Sequence, residues 1–325
     1  MYIQTAVALA LLSLALVMKL QQTIRTSVSM AGIGLHSGVP VRMTLSPAGA
    51  DTGIIFRGPD GTLVPGSLEH VVDGRSATTV GAFGVKVRTI EHLMAAVGAL
   101  GIDNLLVDLD AEEVPAADGS AKPFVDLLRN AGRVSLPASR QPIEIHEPIR
   151  VGDDERWLEI LPSDAFRITY TLDHQHPAIG LQVTTLTVTE ATFADEIAPA
   201  RTYGFLKDVP LMRQNGLARG GSLDNAVVVG KRIVLNESLR FPDEFVRHKI
   251  LDVVGDLALL GRPVAGHVVG RNGGHALNHQ LVLAIRQALA AVRRKTATAR
   301  VRPPATEPRG EVAGRGELIP GIAAH

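Results

Sequence analysis

The sequence predicts an α+β fold of two similar domains, each a β-sheet layer with helices, packed as a β-α-α-β sandwich. Three observations lead there. Strand-like segments come in runs, several before each helix. The plan occurs twice: strands, a helix with histidine in its first turn and glycine at its end, a further strand and another helix, once through His92, Gly101 and Leu106 and again through His248, Gly261 and Val264. Finally, 325 residues of which 46% are hydrophobic can bury two cores of ordinary domain size. Two such layers face to face would bring the histidine-bearing helices to one junction, a favoured place for a site.

Residues 1–17 are almost wholly apolar. They are short for a spanning helix, which needs roughly 20 residues, and they lack the basic start and cleavage site of a signal peptide. A start at Met18 is the preferred reading, because nothing downstream needs what precedes it; a membrane anchor is the alternative. Residues 22–31 then read as a strand, 32–38 as a glycine-punctuated turn carrying His36, and 39–46 as a strand by its alternation. Residues 53–57 and 63–68 make a hairpin around Pro59-Asp-Gly61. Residues 85–90 lead into a helix over 91–100 that Gly101 ends, and 104–110 is a strand. Residues 117–128 run from a loop into a helix, with Ser120 as N-cap and Pro123 in the first turn.

The apolar period lapses over 136–142, where two prolines sit close together, and this divides a first domain, 18–136, from a second, 137–292. In the second, 143–151, 157–161, 166–172 and 181–188 read as strands, and 193–199 and 209–215 as short helices. Residues 224–229 and 232–236 resemble a hairpin, 243–260 an amphipathic helix stopped by Gly261, 264–270 a strand and 275–292 the final helix. Residues 293–325 are basic and rich in Pro and Gly, and read as a disordered tail, or alternatively as a patch for an anionic surface.

Composition excludes several functions. A formal net charge of zero, with few aromatics, advertises no nucleic-acid partner. The absence of cysteine removes disulfides, thiolate metal sites and cysteine nucleophiles, so any metal must be held by His, Asp and Glu. A cytoplasmic monomer with at most peripheral membrane contact fits this composition.

The chemistry centres on Phe245-Val-Arg-His-Lys-Ile-Leu-Asp252. In a helix His248 and Asp252 stand at i and i+4 and project from one face. An imidazole and a carboxylate suit zinc, and a catalytic zinc takes three protein ligands with a fourth position for water. His92 is the candidate third ligand, with Glu91 beside it to take a proton from water. His275 follows a glycine turn at a helix entrance; Asp256, one turn beyond Asp252, could charge and orient it as a general acid. The competing reading makes His248 and Asp252 a hydrogen-bonded pair and His275 a capping residue.

The motifs Gly32-Ile-Gly-Leu-His-Ser-Gly, Thr89-Ile-Glu-His-Leu, Gly101-Ile-Asp-Asn-Leu, Asp118-Gly-Ser-Ala-Lys-Pro-Phe, His176-Pro-Ala-Ile, Ala200-Arg-Thr-Tyr-Gly-Phe, Gly220-Gly-Ser-Leu-Asp-Asn-Ala, the run from Arg240 to Asp256, and Gly274-His-Ala-Leu-Asn occur in an order that resembles the bacterial UDP-3-O-acyl-N-acetylglucosamine deacetylase family, zinc amidases of lipid A synthesis. The resemblance covers Met18 to about Val292. It implies one catalytic zinc ion on His92, His248 and Asp252, Glu91 as general base, and His275 as general acid backed by Asp256. It also implies Thr202 at the oxyanion and Lys249 at the substrate, with Leu206, Val209 and Leu217 walling an acyl passage in the insert 204–225. The implied substrate is UDP-3-O-acyl-N-acetylglucosamine, whose N-acetyl group would leave as acetate. Its phosphates ask for cations, for which Arg201, Lys207, Arg247 and Lys249 are available. Tyr203, where phenylalanine is usual, and Asn278-His279, in place of Asn-Asn, depart from the family pattern. A zinc hydrolase of another acylated amine, or a catalytically inactive binding protein anchored by residues 1–17, are the competing functions.

Overall fold

Strand order, followed along the chain, repeats itself. After β1 (Leu20–Ile24), strands β2 (Val28–Ile33), β3 (Pro40–Pro47), β4 (Ile54–Arg57) and β5 (Leu63–Pro65) form a sheet into which β9 (Leu105–Leu109) returns between β3 and β4. Across that sheet the pairings run antiparallel, antiparallel, parallel, antiparallel. In the second half β12 (Ile149–Gly152), β13 (Trp157–Leu161), β14 (Phe166–His174) and β15 (Gly180–Thr187) are laid down likewise. Strand β18 (Val264–Arg271) returns between β13 and β14 with the same series of directions. A helix precedes each returning strand: α1 (Glu91–Ala99) before β9 and α4 (Glu244–Leu257) before β18. The repeat, faint in residue identities, is complete in topology, because strand alternation and connection order constrain packing while identities drift. This computed structural model describes residues 20–301; the apolar extension 1–17 and the tail from 302 lie outside the described residues.

The remaining pieces are small. Strands β6 (Val71–Asp73), β7 (Thr79–Ala82) and β8 (Val85–Val87) make a three-stranded sheet. Strand β10 (Arg133–Ser139) pairs with β1, and β11 (Ile143–Glu144) adds to β18. Strands β16 (Tyr203–Phe205) and β17 (Val227–Val229) are parallel, joined through α3 (Val209–Gln214). Helix α2 (Lys122–Ala131) packs on β2 and on α1, α1 packs on α4, and α4 packs on β14 and β15. That chain of contacts is the sheet-helix-helix-sheet layering. Helix α5 (His275–Val301) closes the described chain, and the described residues up to Arg286 gather into one compact unit. Among the described residues no helix is long and apolar enough to cross a membrane.

Helix α4 departs from the amphipathic expectation. It is buried nearly all round, with only Arg247 and Lys249 partly open, because it lies between α1 and a sheet rather than on a surface. Apolar Phe245, Val246, Ile250, Leu251 and Val253 supply its packing, each worth about 1.5–3 kcal/mol on full burial. The polar Glu244, His248, Asp252 and Asp256 are buried among them and must find partners. Two glycines let α1 and α4 approach: a Cβ on Gly255 would collide with the Glu91 carbonyl oxygen, and one on Gly98 would stand 3.3 Å from Ala258.

Four local expectations are corrected. Residues 22–31 are two strands in different sheets, separated where Arg25 and Thr26 donate to Gly132 and Ala131. The lapse at 136–142 contains the end of β10; Pro137 falls where the register with β1 is irregular, between the pairs Leu20–Ser139 and Gln22–Ser135, the kind of place a strand tolerates proline. The expected hairpin over 224–236 is reduced to a single bridge, Val229–Val234, because β17 pairs with β16. Helix α5 continues past residue 292 to Val301.

Candidate metal centre

Helix α1 begins at a strained residue. Thr89 has φ 57°, a left-handed conformation that a β-branched side chain adopts only under constraint. Its hydroxyl donates to Glu113 at 2.9 Å, and Glu113 also accepts from the His36 and Ser37 amides. The sharp entry turns Glu91 and His92 into the junction, where both are buried. Helix α4 presents His248, Asp252 and Asp256 on successive turns of the face that meets them. Helix α5 enters after Asn272, at φ 50°, and two glycines, so that His275 stands in its first turn.

One ligand atom from each of His92, His248 and Asp252 lies within 4.8 Å of the others. The imidazoles meet edge to face with centroids 5.0 Å apart. His248 Nδ1 is 3.0 Å from the Ala200 carbonyl, which assigns the proton to Nδ1 and leaves the Nε2 lone pair facing the junction. That nitrogen stands 3.4 Å from Asp252 Oδ1, a buried carboxylate oxygen with no hydrogen-bond partner. Burial pushes His92 down to about 3, helped by His248, and lowers His248 as well, so both rings are neutral. Burial alone would raise Asp252, but the Lys249 ammonium, at 2.8 Å, holds it below the usual carboxylate range. Two neutral imidazoles and an ionised carboxylate with an orphaned oxygen are a donor set for a divalent cation, and zinc accepts all three. The residues fit the ion.

Two further titratable groups, Glu91 and His275, flank this set. Burial, with the negative charges of Asp256 and Asp252 and against the pull of His275, pushes Glu91 up to about 7. His275 Nε2 lies 3.7 Å from Glu91 Oε1, and its Nδ1 lies 2.8 Å from Asp256 Oδ2. Burial would lower His275, yet Asp256, Asp252 and Glu91 outweigh it and raise the imidazole to about 10. His275 is therefore the charged imidazole among neutral ones. Asp256 is held ionised by His275 against its own burial.

Glu91, His92, His248, Asp252 and His275 form the floor of a cavity of about 560 Å³ that Thr202, Lys249, Leu206, Val209 and His36 also line, with Asp256 behind it. Leu217 does not line it; its amide donates to Met212 in the turn that ends α3, and Met212, Ala218 and Leu223 form that part of the wall. Two expected phosphate cations are already engaged. Arg201 pairs with buried Glu244 through two nitrogens, and Arg247 pairs with Asp243 and Glu196; both fasten the start of α4 to residues 196–201. Lys249 is shared between the cavity and Asp252, leaving Lys207, whose ammonium lies 5.7 Å from the Phe205 ring centre. Sequence reasoning missed Thr78, whose amide donates to Glu91 Oε2 at 3.0 Å and whose hydroxyl donates to Asp256 Oδ1 at 2.5 Å. No local signal marks it, since both partners come from other elements.

Residues 21–287 match the family model described as LpxC, UDP-3-O-acyl N-acetylglycosamine deacetylase. The chain is 51% identical over 266 residues to the UDP-3-O-acyl-N-acetylglucosamine deacetylase of Syntrophotalea carbinolica, covering 81% of this chain and 86% of that protein. It is 49% identical to the deacetylase of the same name from Myxococcus xanthus, covering 81% and 85%, and 48% identical to that of Leptospira biflexa, covering 82% and 89%. The matched span holds every residue of the triad and its flanking acid and base, and the chain belongs to the UDP-3-O-acyl N-acetylglycosamine deacetylase family.

Proposed function

We propose that the protein is a zinc-dependent amidohydrolase that removes the N-acetyl group of UDP-3-O-acyl-N-acetylglucosamine, releasing acetate and the free 2-amine, an early committed step of lipid A biosynthesis. The observation that carries the reading is the orphaned, buried Asp252 Oδ1 beside two neutral imidazoles, with a raised carboxylate on one side and a charged imidazole on the other. Family membership supplies the substrate.

The chemistry zinc supplies in such a triad is acidification of water and polarisation of a carbonyl oxygen. Glu91 takes the proton of the attacking water, a task for which a carboxyl near 7 is suited at neutral pH. Thr202, which lines the cavity, donates to the oxygen on which charge develops. His275 keeps its Nδ1 proton on Asp256 and offers the Nε2 proton to the departing nitrogen, which leaves poorly as an anion. Asp256 thus fixes the ring's tautomer and orientation. Leu206 and Val209 form part of the apolar wall that receives the acyl chain, and Lys249 and Lys207 are the cations near the sugar nucleotide. We take residues 18–136 and 137–292 as the two domains, supported by each large sheet drawing its strands from one half.

The test measures acetate release and bound metal together on the purified protein. Hydrolysis of the acylated sugar nucleotide with one zinc per chain is expected. Equal or better hydrolysis of unrelated N-acetyl amines would assign the protein another substrate class.

A further inference from the structure

Thr78 lies between β6 and β7, 1% exposed, and belongs neither to the cavity lining nor to the three candidate ligands. Its polar groups point at two different carboxylates. The backbone amide donates to Glu91 Oε2 at 3.0 Å, and the hydroxyl donates to Asp256 Oδ1 at 2.5 Å. Having given its only proton to Asp256, the hydroxyl has lone pairs left to accept with. His279 Nε2 fills that need at 3.0 Å and also approaches Asp256 Oδ1 at 3.3 Å. Both neighbours are acceptors, so the His279 proton is assigned to Nε2. The far edge of the ring faces Gly74, where a Cβ would come within 2.5 Å of Nδ1; only glycine admits the imidazole there. The other Asp256 oxygen is occupied by His275 Nδ1 at 2.8 Å and Asn278 Nδ2 at 2.7 Å.

We infer that Thr78, braced by His279, is a positioning residue that ties the proton-accepting carboxylate to the carboxylate holding the proton-donating imidazole. The inference rests on the roles proposed above for Glu91 and His275. One residue fixes both arms because its amide and its hydroxyl are three bonds apart, and burial of a β-branched side chain holds the intervening χ1 in one rotamer. Removing the hydroxyl strips Asp256 Oδ1 of its shortest donor and frees the carboxylate to rotate away from His275. Valine at this position keeps the shape and the amide bond to Glu91, so it isolates the hydroxyl.

The experiment compares Thr78→Val, Thr78→Ser, His279→Leu and His279→Gln in the metal-loaded enzyme. Serine keeps the hydroxyl, and the glutamine amide can place a donor near the site of Nε2. Turnover, KM, metal per chain and the imidazole N–H proton resonance of His275 are measured. Thr78→Val and His279→Leu are expected to lower kcat by about 10–100-fold with KM and metal content unchanged, and to move the His275 resonance. Thr78→Ser and His279→Gln are expected to recover most of the loss and restore the resonance. Serine as impaired as valine, a change in KM alone, or an unmoved resonance overturns the inference. Should Thr78→Val fail to fold, the His279 pair decides the same point. If the unmodified protein hydrolyses no amide, the proposed function fails, and the resonance comparison still decides whether the clamp exists.

Discussion

The two ends of the cavity are built to different standards. At the polar floor the chemical groups are held by hydrogen bonds: His248 by the Ala200 carbonyl, Asp252 by Lys249, Asp256 by Thr78, His275 and Asn278. Along the apolar wall Leu206 and Leu223 are each 50% exposed and Leu235 is 42% exposed, and little beyond the short helix α3 and the β16–β17 pair fixes them. The difference follows from what each end must do. Proton transfer and ion binding fail on displacements of an ångström, whereas a hydrocarbon chain is recognised by area and width, which several side chains can supply.

Substitutions at the two ends should therefore fail differently. Asp252→Ala stands at the extreme: metal content and activity are both expected to vanish. It also leaves the Lys249 ammonium, partly open to the cavity, without its carboxylate, a loss of about 1.5–3 kcal/mol readable by denaturant unfolding. Retention of one metal per chain would show that the triad is not the ion's site. Glu91→Gln comes next, with turnover down about 10²–10⁴-fold and metal retained; metal loss would instead make Glu91 a ligand.

Gly255→Ala tests the helix contact beneath the floor. The added methyl meets the Glu91 carbonyl oxygen, so α1 and α4 must separate. A destabilisation of about 1–3 kcal/mol and weaker metal binding are expected, and a fully active, equally stable variant would show that the floor tolerates movement. At the apolar end Leu206→Ala is expected to raise KM for the acylated substrate by up to about 10-fold without changing kcat, and to leave a substrate lacking the long chain unaffected. A kcat effect would join the two ends into one unit. Leu217→Ala, whose side chain lies off the cavity lining, is expected to change KM by less than about 2-fold.

Legibility in the sequence follows the same division. The i,i+4 spacing of His248 and Asp252, the Glu91-His92 pair and the next-turn Asp256 are local helical geometry, so the sequence displays them directly. A glycine turn marks His275 at a helix start, but its 2.8 Å contact with Asp256 spans 19 residues and comes from the packing of two helices. Leu217 is misassigned because nothing in an apolar run says which leucine faces a cavity and which tucks under a helix end. Arg201 reads as a free cation for the parallel reason: Glu244 lies 43 residues away in the chain and meets it only because residues 196–201 lie across the start of α4. Arg247 is a miss of another kind, since its partner Asp243 stands four residues before it. Strand β10 is hidden because its ribbon with β1 is half exposed and carries Pro137 at an irregular pairing.

By itself the sequence determined the strand alternation, the two glycine-stopped helices, the doubled plan and the residue types of the metal set, since each rests on neighbours within a turn or two along the chain. Only the tertiary structure decided that His92 joins His248 and Asp252, that Thr78 reaches both Glu91 and Asp256, and which leucines wall the cavity. The metal set and the Thr78–Asp256 bond join the two halves of the chain, the latter across 178 residues, and their geometry is set by how closely Gly255 lets two helices cross, a distance that no local pattern encodes.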